Sequence, residues 1–258
     1  MKAPFLFIFF FLTVSSYSEL IKKNIAYEEG GTKMEGYLVY DDAQRSKRPG
    51  ILVLHDWMGI GEFSKKKAEQ LADLGYVAFA ADIYGIKNRP ENAKEAGAIS
   101  GQLKADRQLL RSRVLAALKV LQNQSEVDSD RMAAIGYCFG GTTVLELARS
   151  GANVAGVVSF HGGLDSPVPS DAKQIKSKVL VLHGADDPLV SADEVAAFQK
   201  EMRDAKVDWQ MVSYGNAGHA FTYPKAASYG IEGVAYDELA DKRSWKAMKV
   251  FFKELFQK

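Results

Sequence analysis

The chain has 258 residues, of which 33 are basic and 32 acidic, and 47% of its residues are hydrophobic. This length and composition suffice for one large α/β domain, or two small ones, with a well-buried core. Because nucleic-acid-binding proteins carry a basic excess or a basic stripe, the nearly balanced charge argues against a nucleic-acid partner.

The first 18 residues differ in composition from the rest of the chain. Lys2 precedes an apolar run at residues 5–14, and small residues follow it at 15–18. This pattern is typical of a secretory signal peptide, and the run is well short of the about 20 apolar residues of a membrane span. We predict cleavage after Ser18, export to the periplasm or the exterior, and no membrane attachment afterwards. An uncleaved anchor is the alternative.

Residues 19–258 are predicted to form one domain, because no repeat or flexible linker interrupts them. Runs rich in β-forming residues at 22–29 and 34–42 flank a Gly-Gly pair and predict a hairpin. Residues 48–56 contain a short continuous apolar run, typical of a strand that is buried on both faces of a parallel sheet.

From there, predicted strands and helices alternate along the chain. The further strands are predicted at 76–82, 131–137, 154–160, 178–184 and 207–214, and the helices at 65–75, 142–151, 191–205 and the C-terminus. One long amphipathic helix is predicted from the apolar face of Leu103, Leu110, Val114, Leu118 and Leu121. The pattern predicts a mostly parallel sheet of about eight strands with helices on both faces. Ligands of such sheets bind at the carboxyl ends of the strands.

The strongest functional signal is the stretch GYCFGG at residues 136–141, which contains the chain's single cysteine. A nucleophile on a tight strand-to-helix turn needs small neighbours, and the following helix favours a thiolate. The amide of Phe139 is free there to donate to an oxyanion. A buried structural thiol is the alternative for Cys138, and so is a redox-responsive thiol, although no second cysteine could resolve it.

A base and an acid for this nucleophile follow in the order that α/β-hydrolases use. Asp187 lies in the loop after a later strand, and His219 lies in the loop after the next one. Asp186 competes with Asp187 for the role of the acid.

These stretches, with VLHDWMGIGE, AADIYG, SFHGG, VLHGADDPLV and GNAGHAF, resemble the dienelactone hydrolase family of α/β-hydrolases from about residue 20 to the end. The resemblance implies a hydrolase that cleaves a carboxylic ester or lactone through a thioester. It implies Cys138 as nucleophile, His219 as base, Asp187 as orienting acid, and an oxyanion hole from the amides of Trp57 and Phe139.

The chain departs from the family pattern at two places. Asp56 stands where members often carry a glutamate that interacts with the resting thiol. Ile86 and Tyr223 stand where dienelactone-cleaving members bind the substrate carboxylate with two arginines, and Lys87 and Arg89 lie close to the first of these positions. A lysine does not reproduce a bidentate arginine, so these departures count against dienelactone itself as substrate.

Aromatic and histidine side chains near the strand ends are candidates for a substrate pocket. Tyr84, His161, Phe221 and Tyr223 are the predicted walls, with core packing as the alternative. His55 is interpreted as a packed histidine with catalysis as the alternative, and His183 as structural.

The histidines lack metal-ligand spacing, and the glycines lack the spacing of a phosphate or dinucleotide site, so no metal or cofactor is predicted. A catalytically silent protein that binds a small molecule is the alternative to a hydrolase, and a monomer or small homo-oligomer is expected.

Overall fold

The computed structural model describes residues 19–256, and the predicted signal peptide at 1–18 lies outside this range. The described chain contains one eight-stranded sheet in the order β1-β2-β4-β3-β5-β6-β7-β8. Its strands are β1 (Leu20–Glu29), β2 (Thr32–Asp41), β3 (Arg48–Leu54), β4 (Val77–Ala81), β5 (Val127–Tyr137), β6 (Gly156–Phe160), β7 (Lys178–Gly184) and β8 (Trp209–Tyr214).

The sheet is mostly parallel, as predicted. β1 and β2 form the predicted antiparallel hairpin, with Leu20 opposite Asp41 and Glu29 opposite Thr32. β2 pairs antiparallel with β4, and every later neighbour pair is parallel. The carboxyl ends of β3 to β8 therefore meet at one edge of the sheet.

Helices cover both faces of the sheet because its central strands are buried on both sides. The helices of the described range are α1 (Glu62–Asp73), α2 (Ala93–Ala105), α3 (Arg107–Gln122), α4 (Phe139–Arg149), α5 (Ala192–Asp204) and α6 (Glu238–Phe256). Apolar residues of α1 and α6 pack with one set of strand residues, such as Ile51 and Val53. Apolar residues of α3, α4 and α5 pack with the alternate set, such as Leu52 and Leu54.

The predicted single long helix is wrong, since the chain divides it into α2 and α3 at Asp106. Asp106 has non-helical dihedrals, and its carboxylate accepts a hydrogen bond from the Leu109 amide at 2.9 Å. An aspartate side chain stabilises a helix start in this way. Leu103 thus belongs to α2, although it packs in the same core as Leu110.

None of the helices between residues 19 and 256 combines the length and the apolar character that crossing a membrane requires.

Candidate active site

Cys138 lies at the turn between β5 and α4 and has a rarely populated backbone conformation. Its φ is 54° and its ψ is −114°. Such a conformation costs on the order of 1–3 kcal/mol for a residue with a side chain and persists only where neighbours enforce it. The side chain is partly exposed and lines a cavity. Because Cys138 is the N-cap of α4, the positive end of that helix is directed at the turn.

The glycines on either side of Cys138 are required by close backbone contacts. A Cβ on Gly136 would lie 2.0 Å from the carbonyl oxygen of Gly140. A Cβ on Gly140 would lie 2.4 Å from the carbonyl oxygen of Leu54, so β3 and α4 approach each other at this point. Only glycine permits this approach, which explains the GYCFGG pattern.

The structure brings Cys138, His219 and Asp187 together at the carboxyl ends of β5, β7 and β8. His219 Nε2 lies 3.1 Å from Cys138 Sγ, and His219 Nδ1 lies 2.8 Å from Asp187 Oδ2. His219 and Asp187 are buried. Asp187 also accepts a hydrogen bond from the Leu189 amide at 2.8 Å, whereas Asp186 is exposed. Asp187 is therefore the aspartate that contacts His219.

The electrostatics of this group favour a protonated His219. Burial by itself lowers the pKa of His219, but the Cys138 sulfur and the Asp187 carboxylate outweigh burial and raise this pKa to about 10. At neutral pH His219 is then an imidazolium, which places a positive charge 3.1 Å from the Cys138 sulfur.

Two residues that line the cavity have backbone amides without an acceptor in the described chain. Phe139 is the first residue of α4, so its amide has no partner inside the helix. Trp57 follows β3, and its amide donates to no acceptor among residues 19–256. The Tyr84 hydroxyl donates to the Trp57 carbonyl at 2.9 Å, which holds the next peptide group, between Trp57 and Met58, in place.

His161 contacts the backbone of the nucleophile and lines the cavity. Its Nδ1 accepts a hydrogen bond from the Cys138 amide at 3.2 Å, so Nε2 carries the proton and donates to Thr222 Oγ1 at 2.8 Å. Burial lowers the pKa of His161 well below its usual value and keeps the ring neutral. His55 is packed away from the cavity, where its Nε2 accepts from the Ile83 amide at 3.1 Å.

The cavity at Cys138 has a volume of about 210 Å³. Its lining is mainly apolar and includes the predicted residues Trp57, Phe139, His161 and Tyr223. In the part of the chain that the structure describes, no group of three acidic, histidine or cysteine side chains could hold a metal ion.

Two predicted pocket walls lie elsewhere. Tyr84 is fully buried beneath the Trp57 loop, with its ring against His55 and Phe139. Phe221 is fully buried behind His161, with its ring edge toward it. Neither lines the cavity; each packs against a ring that does, Phe139 for Tyr84 and His161 for Phe221.

Asp56 lines the cavity but makes no hydrogen bond to Cys138 within the described chain. Its Oδ1 accepts from the Met58 amide at 2.8 Å, which holds the short side chain in its own loop. Burial raises the pKa of Asp56 to about 6, although the Met58 amide lowers it in part. Asp56 also lines a second cavity of about 430 Å³, which adjoins the first at Phe63 and Tyr223.

The basic residues that sequence reasoning considered for a substrate carboxylate do not reach the cavity. Arg89 Nη2 is bound to the buried carboxylate of Asp82 at 2.9 Å, and it donates to the Glu35 carbonyl at the same distance. Lys87 lies in a short 3-10 helix and does not line the cavity either.

Several lining residues were not predicted from the sequence, and they come from α2, from the first turn of α4, from a short 3-10 helix and from two loops. They are Ser100, Lys104, Thr142, Leu189, Val190, Tyr229, Ile231 and Val234. No local motif marks them, because they reach the cavity only through tertiary packing.

The sheet order, the strained cysteine between a strand and a helix, and the nearby histidine and aspartate define an α/β-hydrolase. The sequence also matches the family model described as the dienelactone hydrolase family over residues 34–256. The chain belongs to the dienelactone hydrolase family and is a hydrolase.

Two relatives illustrate its similarity to known sequences. An uncharacterised protein of Caenorhabditis elegans is 39% identical over 150 residues, which is 57% of this chain and 94% of the relative. A Bradyrhizobium protein named "Probable 2-oxo-3-(5-oxofuran-2-ylidene)propanoate lactonase" is 31% identical over 205 residues, covering 74% of this chain and 81% of the relative.

Solved structures agree with this assignment. A chain named m3DLH is 44% identical, with a TM-score of 0.89 over 92% of this chain and 99% of its own. A dienelactone hydrolase-like promiscuous phosphotriesterase from metagenomic libraries is 43% identical, with a TM-score of 0.88 over 92% of this chain and 98% of its own.

Proposed function

We propose that the chain hydrolyses a small carboxylic ester or lactone through a thioester on Cys138. The observation that carries this proposal is the row of contacts from Cys138 Sγ through His219 to Asp187, at 3.1 and 2.8 Å. Nucleophile, base and orienting acid need contacts of this length.

In the first half of the reaction, the Cys138 thiolate attacks the substrate carbonyl carbon. A C–S bond forms, and the carbonyl π electrons move to the oxygen, which the amides of Trp57 and Phe139 stabilise. The tetrahedral intermediate then collapses to a thioester. The leaving alkoxide takes the proton of the His219 imidazolium, so that an alcohol departs.

In the second half, His219 takes a proton from water, and the resulting hydroxide attacks the thioester. Collapse of the second intermediate breaks the C–S bond, releases the carboxylic acid and returns the thiolate beside a protonated His219. Asp187 holds the ring in the tautomer that keeps Nε2 directed at the sulfur in both halves.

The size and chemistry of the site favour a small substrate. A cavity of about 210 Å³ is smaller than the roughly 300–1,000 Å³ of pockets for drug-sized ligands. The lactonase name of the Bradyrhizobium relative supports the ester or lactone class. Ile86 and Tyr223 in place of two arginines favour a substrate other than dienelactone.

The test is hydrolysis of short-chain nitrophenyl esters by the wild type, Cys138→Ala and His219→Ala. We expect both variants to lose activity by on the order of a thousandfold or more, because a triad acts as a unit. Mass spectrometry of the rapidly quenched wild type should detect an acyl adduct on Cys138. His183→Gln is the matched control, since His183 is a buried histidine that does not line the cavity.

Equal activity in the wild type and both variants would refute the nucleophile assignment. Absence of activity in all proteins, toward a panel of esters and lactones, would favour the silent binding protein. Circular dichroism and thermal unfolding of each variant separate a loss of chemistry from a loss of folding.

We propose in addition that the chain is exported, with residues 1–18 as its signal peptide. The apolar run at 5–14 and the small residues after it support this proposal. Fractionation of expressing cells and N-terminal sequencing test it: an exported protein that begins at Glu19 is expected, and a cytoplasmic protein with an intact leader would contradict it.

A further inference from the structure

Lys104 is the one lysine or arginine that lines the cavity at Cys138 within the described chain. It lies on α2, one helical turn after Ser100, and both side chains face the cavity. Its side chain is 41% exposed, so it stands at the boundary between the cavity and solvent. A cation at the rim of a mainly apolar cavity is well placed to recognise an anionic group on a ligand.

The position of Lys104 is close to the nucleophile. Lys104 Nζ lies 3.4 Å from the point that a Cβ on Gly163 would occupy, and Thr142 Oγ1 lies 3.2 Å from the same point. Thr142 follows Cys138, the N-cap of α4, by four residues, which is a rise of about 6 Å along the helix. Lys104 and Thr142 therefore lie near each other in the wall of the cavity that Cys138 also lines.

The charge of Lys104 is only weakly matched by the protein. Its nearest carboxylate is Asp165, at 4.0 Å from Nζ to Oδ1, which is too long for a hydrogen bond. The other oxygen of Asp165 binds the Arg107 guanidinium at 2.5 Å. Lys104 donates no hydrogen bond among residues 19–256, so its ammonium protons remain available to a ligand.

The wall beside Lys104 is held in place from both sides. The Glu194 carboxylate accepts hydrogen bonds from the amides of Leu164 and Asp165, at 2.6 and 3.1 Å. Arg149 donates to the carbonyls of the same two residues, at 3.1 and 3.3 Å. A ligand that binds at this end of the cavity has no loop to order, which favours affinity.

We propose that Lys104 determines specificity by binding a carboxylate of the substrate within the cavity that Cys138 also lines. This inference rests on the proposed ester hydrolysis. It assigns the substrate to the esters or lactones that carry a carboxylate on the acyl side, and it moves the carboxylate site to α2, away from Lys87 and Arg89.

The test compares two esters of equal carbon count, nitrophenyl hexanoate and the mono-nitrophenyl ester of adipic acid. The second differs by a terminal carboxylate, which is ionised at pH 7.5. We expect Lys104→Met to lower kcat/KM for the adipate by about tenfold, mainly through KM, because a partly exposed charge-assisted hydrogen bond is lost. The hexanoate value should change by less than about twofold, because this ester offers no charge to Lys104.

Lys94→Met is the matched control, because Lys94 is exposed on the same helix and does not line the cavity. Lys104→Arg should recover most of the adipate activity, and added salt should reduce the wild-type preference for adipate. Esters of succinate, glutarate and suberate locate the best chain length.

An equal loss for both esters in Lys104→Met, or no loss for the adipate, would overturn the proposal. The hexanoate reaction separates this failure from a failure of the proposed function. If hexanoate is hydrolysed and Cys138→Ala abolishes the reaction, ester hydrolysis stands even where Lys104 has no effect.

Discussion

Two groups of buried charges lie on opposite ends of α4, and they differ in where their charges are directed. At the start of the helix, Cys138 and His219 form a pair whose sulfur remains partly exposed to a cavity. Near the end of the helix, Arg149 binds Glu201 through two bonds of 2.7 and 2.8 Å, and it binds Glu146 at 3.0 Å. We call Arg149, Glu146 and Glu201 the Arg149 cluster.

The Arg149 cluster satisfies its own charges, since all three nitrogens of the Arg149 guanidinium have acceptors within the protein. The Cys138 site, by contrast, contains polar groups without a full set of partners. The amides of Trp57 and Phe139 have no acceptor in the described chain, and burial raises the pKa of Asp56 to about 6. Burial of charge is therefore common to both groups. The Cys138 site differs from the Arg149 cluster because its unpaired polar groups face an open cavity. The following variants test that difference.

Asp187→Asn is expected to have the largest effect, a loss of hydrolysis on the order of a thousandfold or more. The pKa of His219 is raised to about 10 by Cys138 and Asp187 against the effect of burial, so removing the Asp187 charge lowers it. The imidazolium is lost as pH rises through this pKa, and the alkaline limb of the pH–rate profile should therefore move from near pH 10 to lower pH.

Asp186→Asn is the control for Asp187→Asn, because Asp186 is the exposed neighbour. It should retain activity and an unchanged profile. The opposite pattern, with activity lost in Asp186→Asn and retained in Asp187→Asn, would mean that Asp186 and not Asp187 orients His219.

Arg149→Met tests the second group through stability. It leaves Glu201 buried without its partner, while Glu146 keeps the Arg111 guanidinium at 2.8 Å, and it should lower the free energy of unfolding by about 3–5 kcal/mol. Denaturant unfolding measures this loss. The kcat of the folded fraction for nitrophenyl hexanoate, which has no carboxylate to bind at the wall that Arg149 holds, should stay unchanged. Arg131→Met is the control, since Arg131 is 42% exposed in its pair with Asp128 and should cost less than about 1 kcal/mol. A large fall in kcat with unchanged stability would remove the contrast between the two groups.

Much of the fold and the reactive centre follows from short stretches of sequence. The strands are recognisable from their own apolar runs, and the GYCFGG turn from the glycines that the approach of β3 to α4 requires. Asp187 and His219 follow because parallel strands end at one edge of a sheet. Each of these inferences depends on residues that are near in sequence or on the topology alone.

The rest depends on contacts between distant segments. Lys104 reaches the cavity because α2 packs against α3, which in turn packs against α4, and no pattern within residues 93–105 indicates this. Arg89 looks available in the sequence, but Asp82 binds it. Tyr84 and Phe221 look like pocket walls, but other rings cover them. Asp56 follows the strand as expected, yet the amide of Met58 holds its carboxylate.

Tyr84→Phe tests whether a buried hydroxyl supports the reactive site from below. Tyr84 donates to the Trp57 carbonyl at 2.9 Å, and the amide of the same residue is the proposed oxyanion donor. Losing this hydrogen bond should lower kcat by about tenfold, with KM changed little, because the loss falls on the transition state. Tyr37→Phe removes a hydroxyl that binds Glu69 on the far side of α1 and should leave kcat unchanged. Equal effects of the two variants would show that Tyr84 contributes only to packing.

Asp56→Asn should have the smallest effect of these substitutions. It should raise the free energy of unfolding, whereas Arg149→Met should lower it. The folded-state pKa of Asp56 is about 6, above its ordinary value of 3.8, so the native state holds the proton longer than the unfolded state. The contribution of Asp56 to the free energy of unfolding therefore falls as pH rises from about 4 to 6 and stays low above that range. The asparagine variant avoids this loss, and partial exposure reduces the expected gain to about 1 kcal/mol at pH 7.

Chemical unfolding of the wild type and Asp56→Asn at pH 4, 5, 6 and 7 measures this difference. The two proteins should be nearly equal at pH 4, and the variant should become the more stable one as pH rises. A variant less stable than the wild type at pH 7 would mean that the Asp56 charge is satisfied within the fold, as the charges of the Arg149 cluster are. If Asp56→Asn raises the free energy of unfolding and Arg149→Met lowers it, the two groups differ as proposed. The charge of Asp56 at the reactive site then lowers stability, whereas the charges of the Arg149 cluster contribute to it.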